Sequence, residues 1–110
     1  MKKNYAGVWV GVLMLFVHTA IAQEQPSLRE RADELYRRYE YANAAKLYTK
    51  LVDTRKPRLQ DLERLADSYW KMKDYESAEN WYARIIGMEG SGVANRLLYG
   101  GVLKANGKYG

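Results

Sequence analysis

Apolar side chains recur every three to four positions along most of the chain, which is the period of an α-helix with one buried face. The first stripe consists of Leu28, Ala32, Leu35 and Tyr39. Ser27 and Glu30 stand just before and within its first turn at the spacing of a capping box, in which the side chain of each residue bonds the backbone N–H of the other. We therefore expect a helix that starts near Ser27 and runs to a turn at Glu40-Tyr41.

Three further stripes predict three further helices. The second helix would bury Ala44, Ala45, Leu47, Tyr48, Leu51 and Val52, the third Leu62, Leu65, Ala66, Tyr69 and Trp70, and the fourth Ala78, Trp81, Tyr82, Ile85 and Ile86. Pro57 ends the second helix, because a proline disfavours helical geometry at the residue before it. Residues 87–92, with three glycines and a serine, predict a loop.

The chain repeats itself with a period of 34 residues. The matching columns are Ala32 with Ala66 and Gly100, Tyr41 with Tyr75 and Tyr109, Ala44 with Ala78, and Tyr48 with Tyr82. Small and aromatic residues in fixed columns at this period are typical of a helix–turn–helix unit that buries its apolar face only by stacking on its neighbours. We expect the alanines to lie where the helices of a pair approach most closely.

These columns resemble the tetratricopeptide repeat (TPR), and the resemblance covers about residues 25–110. It implies an all-α solenoid of helix–turn–helix units. The predicted divisions are a short linker at 23–26, repeats at 25–58 and 59–92, and a partial third repeat at 93–110 that holds only its first helix. The sequence departs from the family's pattern at Leu28 and Leu62, where the family often has tryptophan, and at Leu51 and Ile85, where it usually has a small residue.

In the TPR family, peptides and partner proteins bind a concave face that is lined by the first helix of each repeat. Candidate partner-binding residues on that face are Arg29, Asp33, Tyr36, Arg37, Glu63, Asp67, Trp70 and Lys71. Tyr36 and Trp70 occupy one column and are candidate aromatic anchors. The alternative is that both aromatics pack between repeats and the charges form a solvated face. Asp33 and Asp67 stand where peptide-clamping members hold asparagine, which disfavours capture of an acidic C-terminal tail.

Residues 1–22 have the three parts of a secretory signal peptide. Lys2 and Lys3 precede an apolar run, and Ala20 and Ala22 supply the small residues that signal peptidase requires. We expect cleavage after Ala22, and so an exported protein of the periplasm or outer membrane. The alternative is an uncleaved membrane anchor, because residues 5–22 nearly reach the length of about 18–20 apolar residues that spans a bilayer.

Composition argues against catalysis and against nucleic-acid binding. The net charge is +5, and removal of Lys2 and Lys3 would leave 16 basic side chains interspersed with 13 acidic ones, which makes no basic stripe. The chain has no cysteine and one histidine, His18, which would leave with the signal peptide. We therefore predict that the chain is not an enzyme and holds no catalytic residue, cofactor or metal.

The partial third repeat predicts apolar residues without a covering helix, namely Leu97, Leu98, Tyr99, Val102 and Leu103. We expect the natural chain to continue. A signal sequence followed by TPR units resembles the start of cell-envelope proteins of Bacteroidota-type bacteria, which carry a downstream OmpA-like domain that binds peptidoglycan. That resemblance implies an interaction scaffold with a protein or peptide partner in the envelope. The alternatives are a short periplasmic protein that self-associates through its third repeat, and a membrane-tethered adaptor.

Overall fold

A computed structural model describes residues 25–108, and within them all regular structure is helical. The helices are α1 (Leu28–Arg37), α2 (Tyr41–Val52), α3 (Leu59–Lys71), α4 (Tyr75–Ile86) and α5 (Gly92–Ala105). The all-α prediction is therefore confirmed for this part of the chain. The predicted signal segment 1–22, with Ala20 and Ala22, and the third-repeat Tyr109 lie outside the described residues. None of the five helices is both long and apolar enough to cross a membrane.

The start of α1 is the predicted capping box. The Ser27 hydroxyl accepts from the Glu30 N–H at 3.1 Å, and the Ser27 N–H donates to the Glu30 carboxylate at 3.4 Å. The predicted end of this helix is wrong, because α1 stops at Arg37 and Tyr39 is 77% exposed instead of continuing the apolar stripe. The cause is the backbone of Tyr39, whose φ of 63° lies in the left-handed region and turns the chain into α2.

The same turn follows α1, α3 and α5. Tyr39, Lys73 and Gly107 have φ values of 63°, 62° and 74° and are spaced 34 residues apart. The residue after each of them donates its N–H to a carbonyl five residues back, at 2.9, 2.9 and 2.8 Å. These are the bonds of a Schellman motif, which satisfies carbonyls that a helix end leaves without partners. The backbone thus repeats with the period of the sequence.

Because a left-handed backbone favours glycine, Lys73→Gly should raise the free energy of unfolding by roughly 0.5–1 kcal/mol. Glycine also makes the unfolded chain more flexible, but we expect the relief of steric strain in the folded chain to be the larger effect. The matched control is Lys50→Gly, at an exposed position inside α2, which should lower stability by about 1 kcal/mol. A urea titration followed by circular dichroism measures both variants. Similar losses at the two positions would contradict the strain assigned to Lys73.

The five helices form two layers. Consecutive helices pack against each other, and side chains of α1 bond to α3 and those of α3 to α5, so that the odd-numbered helices form one layer and α2 and α4 the other. Between the layers lie the buried apolar residues Ala32, Ala44, Ala45, Tyr48, Val52, Leu62, Leu65, Ala66, Ala78, Tyr82, Ile85 and Val102. The turn residues Tyr41 and Tyr75 are half-buried. The core therefore extends across both repeats.

The four alanines of the repeat columns, Ala32, Ala44, Ala66 and Ala78, have no exposed surface. Their burial fits the expectation that they lie where two helices approach closely. We predict that Ala78→Leu lowers the free energy of unfolding by about 1–3 kcal/mol, because the larger side chain must force its neighbours apart. Ala83→Leu, at an exposed position of the same helix, is the control and should change stability by less than about 0.5 kcal/mol. Equal stability of the two variants in a denaturant titration would refute the close approach at Ala78.

Helix α5 has one covered side and one exposed side. Val102 is fully buried, which corrects the expectation that it would be uncovered, and Tyr99 and Leu103 are half-buried. Leu97 and Leu98 are 72% and 43% exposed, as expected for a helix that packs on α4 and is covered on its other side by no helix of residues 25–108. Gly100, in the column of the buried alanines, is exposed for the same reason.

Candidate partner-binding face

The eight predicted partner-binding residues lie on α1 and α3, in the layer of odd-numbered helices. We call this surface the odd-helix face and define it by Arg29, Asp33, Tyr36, Arg37, Glu63, Asp67, Trp70 and Lys71. Arg37 pairs with Glu34 at 2.6 Å one turn back on α1, and Lys71 is exposed at the end of α3. The other six residues contact the neighbouring helices, and these contacts give the face its chemistry.

Arg29 binds a carboxylate that is buried in α3. Its Nε lies 3.2 Å from both oxygens of Asp61, and its Nη2 lies 2.9 Å from Oδ2. Asp61 is only 2% exposed, so this bidentate pair supplies the partner that a buried charge requires. The hydrogen bond to Asp61 raises the pKa of Arg29. Arg29 therefore joins α1 to α3.

Asp33 collects two donors from two different helices. The Tyr48 hydroxyl of α2 donates to its Oδ1 at 2.5 Å, and Nη1 of Arg64 in α3 lies 2.6 Å from the same oxygen. The Arg64 guanidinium carbon also lies 5.4 Å from the centre of the Tyr36 ring. The Arg64 guanidinium is thus held by a carboxylate and an aromatic face, a combination that suits its planar charge.

The pKa values of this cluster reflect the same contacts. Burial by itself raises the pKa of Asp33, but the hydrogen bonds from Tyr48 and Arg64 outweigh it, and the pKa lies below its ordinary value. Burial and the adjacent Asp33 carboxylate raise the pKa of Tyr48. The ionised carboxylate and the neutral phenol are therefore the stable forms near neutral pH.

A lowered pKa in the folded state makes a carboxylate stabilising above its unfolded pKa, and that contribution is lost as the pH falls through the folded value. We therefore expect the free energy of unfolding to fall below about pH 4, and to fall less in Asp33→Asn, which has no charge to lose. Urea titrations between pH 7 and pH 3 measure this slope. Asp53→Asn, at an exposed position after α2, is the control. A slope in Asp33→Asn that equals that of the unsubstituted chain would contradict this assignment.

Tyr36 and Glu63 make the next two contacts. The Tyr36 hydroxyl donates to Oδ2 of Asp67 in α3 at 2.5 Å, and Nδ2 of Asn95 in α5 donates to Oε2 of Glu63 at 2.7 Å. Asn95 is 3% exposed, and its amide also donates to the Ser91 carbonyl at 2.6 Å. Polar side chains thus connect α3 to α5 as they connect α1 to α3.

Trp70 is half-buried and lies against two neighbours. Its ring centre is 5.2 Å from that of Tyr75, and the edge of the indole is 3.9 Å from the place that a Cβ would take on Gly101 in α5. That distance is an ordinary van der Waals contact, so the indole lies close to the α5 backbone. Both candidate anchors, Tyr36 and Trp70, therefore pack between helices and keep part of their surface exposed.

These contacts recur at the period of the sequence. A separation of 32 residues joins both Arg29 to Asp61 and Glu63 to Asn95. In the first pair the earlier residue donates the hydrogen bond, and in the second pair the later residue donates it. Tyr36 with Asp67 and Trp70 with Gly101 are both separated by 31 residues. Helix α5 therefore sits on α3 as α3 sits on α1. The sequence reasoning missed Asp61, Arg64 and Asn95, and the signal that could have found them is complementary polar pairs one repeat apart.

Tyr82 is the counterpart of Tyr48, but its surroundings differ. It is 1% exposed, and its hydroxyl has no hydrogen-bond partner among residues 25–108. Burial, together with the charges of Asp67 and Glu63, raises the pKa of Tyr82 to about 12. Two carboxylates of α3 are thus close enough to this phenol to influence its ionisation.

The odd-helix face therefore offers exposed parts of two aromatic rings beside carboxylates that are held in place by their neighbours. Such a surface can bind a polypeptide through stacking and charge-assisted hydrogen bonds. No group of three His, Asp or Glu side chains within residues 25–108 is arranged to hold a metal ion. Comparisons of the chain with protein-family models, with curated proteins and with solved structures find no match. A function for the chain has to be inferred from its own residues and their contacts.

Proposed function

We propose that this chain is a non-catalytic interaction module of the TPR type, and that its odd-helix face binds a protein or peptide partner. The observation that carries the proposal is the recurrence of one helix pair. The left-handed turns at Tyr39, Lys73 and Gly107, the fully buried alanines, and the side-chain contacts between odd-numbered helices all return with the 34-residue period. Stacked helix pairs of this kind present an extended surface and commonly serve to bind other proteins.

We also propose where in the cell the module acts. A leader-like segment at residues 1–22 supports export, and we propose that the module works in the periplasm or at the outer membrane. We further propose that it is the N-terminal TPR region of a larger OmpA-like envelope protein. Its partner would then be recruited near the cell wall. The mass of the mature protein tests the first step, because cleavage after Ala22 removes the whole leader, whereas a membrane-tethered adaptor would keep it.

A matched pair of double variants tests the odd-helix face. Trp70→Ala with Arg37→Glu changes this face, and Trp81→Ala with Lys50→Glu likewise removes one tryptophan and reverses one positive charge, but on α4 and α2. Each tagged chain is used to recover proteins from an envelope extract, with circular dichroism as the check on folding. We expect recovery of the partner to fall only in the first variant. Equal recovery by the two folded variants would move the binding surface away from the odd-helix face.

Self-association is a second candidate function, and the exposed side of α5 favours it. Val93 and Leu97 are 65% and 72% exposed on that helix, so a second copy would bury apolar surface there. Size-exclusion chromatography with light scattering over a hundredfold range of concentration separates the two candidates. A monomer at every concentration would exclude self-association, and a dimer that Leu97→Lys dissociates would favour it.

A further inference from the structure

A cluster of a carboxylate, a phenol and an aromatic ring on the odd-helix face occurs twice in the sequence, but its arginine occurs only once. In its first copy, Asp33 accepts from the Tyr48 hydroxyl and pairs with Arg64. The residues 34 positions further on are Asp67, Tyr82 and Leu98. The carboxylate and the phenol are kept, but a leucine stands where the arginine would be.

The two copies differ in one hydrogen bond, because Asp33 accepts from the Tyr48 hydroxyl whereas Asp67 accepts from Tyr36 of α1 and not from Tyr82. Arg64 reaches Asp33 from α3, and Leu98 occupies the matching position of α5. Because the pairs 32 residues apart and the pairs 31 residues apart both recur between α3 and α5, we infer that Leu98 is placed relative to Asp67 as Arg64 is placed relative to Asp33. Leu98 is 43% exposed, and its side chain cannot donate a hydrogen bond.

The replacement leaves hydrogen-bonding capacity without a partner inside the described residues. The Tyr82 residue is 1% exposed and its hydroxyl makes no hydrogen bond among residues 25–108, whereas its counterpart Tyr48 donates to Asp33. Asp67 accepts the Tyr36 hydroxyl on Oδ2, and Oδ1 accepts no bond from the same part of the chain. No buried side-chain oxygen or nitrogen in the described part of the chain lacks a partner, so the unbonded Tyr82 hydroxyl is in reach of solvent. A ligand can therefore bond to this hydroxyl and to Oδ1 of Asp67 from outside.

The aromatic part of the arrangement is also kept. The Arg64 guanidinium lies over Tyr36, and the residue 34 positions after Tyr36 is Trp70, whose indole is the strongest cation–π partner among the side chains. Glu63 lies one helical turn before Asp67 and adds a second negative charge near Tyr82. The exposed apolar surface of Leu98 suits the aliphatic part of a long basic side chain.

We propose that Asp67, Tyr82, Glu63 and Trp70 form a binding site for the guanidinium of an arginine side chain supplied by a partner polypeptide. The arginine takes the role that Arg64 has in the first copy. It donates to the Asp67 carboxylate and to the oxygen of Tyr82, and it lies over the Trp70 ring. Arginine suits the site better than lysine, because its planar donors bind a carboxylate in bidentate fashion while its face stacks on the indole. This inference rests on the proposed function, since it names the chemistry of the partner that the odd-helix face binds.

The test is a titration of the isotope-labelled chain with N-acetyl-arginine methylamide, followed by nuclear magnetic resonance. We expect saturable shifts of the Trp70 indole N–H and of the Leu98 signals. The neutral isostere N-acetyl-citrulline methylamide should bind at least about tenfold more weakly, because it lacks the charge. Equal binding of the citrulline compound, tighter binding of the lysine analogue, or shifts elsewhere on the chain would overturn the proposal.

Two variants and one control sharpen the titration. Asp67→Asn keeps the shape of the side chain and removes its charge, so arginine binding should weaken by about tenfold or more. Leu98→Arg places an internal guanidinium where the first copy has one, and it should block the site. Asp53→Asn, at an exposed position between α2 and α3, should leave binding unchanged. If the Asp67 and Asp53 variants bound arginine equally, the proposed site would be wrong.

The titration and the recovery experiment can fail separately. If arginine does not bind but Trp70→Ala with Arg37→Glu still loses the partner, the proposed function stands and the arginine site falls. If arginine binds as expected but that double variant recovers the partner fully, the arginine site stands and the odd-helix face is not the partner surface. If Leu98→Arg loses both arginine binding and partner recovery, the two proposals are supported together.

Discussion

Replacement of Leu65 by alanine should lower the free energy of unfolding by about 2–5 kcal/mol, which is the range for a large apolar side chain that leaves a cavity. Leu65 has no exposed surface and lies in α3, which packs on both α2 and α4. Repeats of this kind are stabilised chiefly by contact with their neighbours, so a cavity in the middle helix weakens both sides of the array. A urea titration followed by circular dichroism measures the loss.

The control for this prediction is Leu97→Ala. This variant carries the same leucine-to-alanine substitution, on another odd-numbered helix. Because Leu97 is 72% exposed, its replacement should alter the free energy of unfolding by less than about 0.5 kcal/mol. Both titrations are made at the same low protein concentration, so that self-association has little effect on the stability measured for either variant. Equal losses for the two variants would contradict a core that lies between the layers and excludes the outer side of α5.

The helices were predictable because their signals are local. The Ser27–Glu30 capping box and the three-to-four-residue spacing of apolar positions each act within one or two turns, and the structure contains both. The end of α1 was predicted wrongly for a related reason. Tyr39 continues the apolar spacing, yet it occupies a left-handed turn position that a glycine would have revealed, as Gly107 does in the third turn.

The odd-helix face could be located from the sequence, but its contacts could not be derived from it. Spacing along one helix places Asp33 and Tyr36 on one side of α1, and it says nothing of the residues that reach them from α2 and α3. Arg64 and Asp61 look like ordinary surface charges in the sequence, because their partners lie about one repeat away. Only the packing of two helices brings such pairs together, and only the repeat period could have suggested it.

Comparison of the two copies of the cluster gives the last prediction, in which one chemical change has two different outcomes. Tyr48→Phe should lower the free energy of unfolding by about 1.5–3 kcal/mol, the range for a hydrogen bond to a charged group. The Tyr48 hydroxyl donates to Asp33 at 2.5 Å, and its removal takes one of two donors from that carboxylate. Tyr82→Phe removes a hydroxyl that bonds to nothing within residues 25–108, so stability should stay within about 0.5 kcal/mol or rise.

Both phenylalanine variants keep the ring and its packing, so the difference between their urea titrations isolates the two hydroxyls. The titrations are made at pH 7, where the carboxylate of Asp33 is charged because its pKa lies below the ordinary value. The difference should narrow as the pH falls through the lowered pKa of Asp33, because protonation of Asp33 weakens the bond that only Tyr48 makes. If Tyr82→Phe cost as much as Tyr48→Phe, the second hydroxyl would already have a partner in the folded chain. An arginine from outside would then have no bond to complete there, and the contrast between Arg64 and Leu98 would have a structural meaning only.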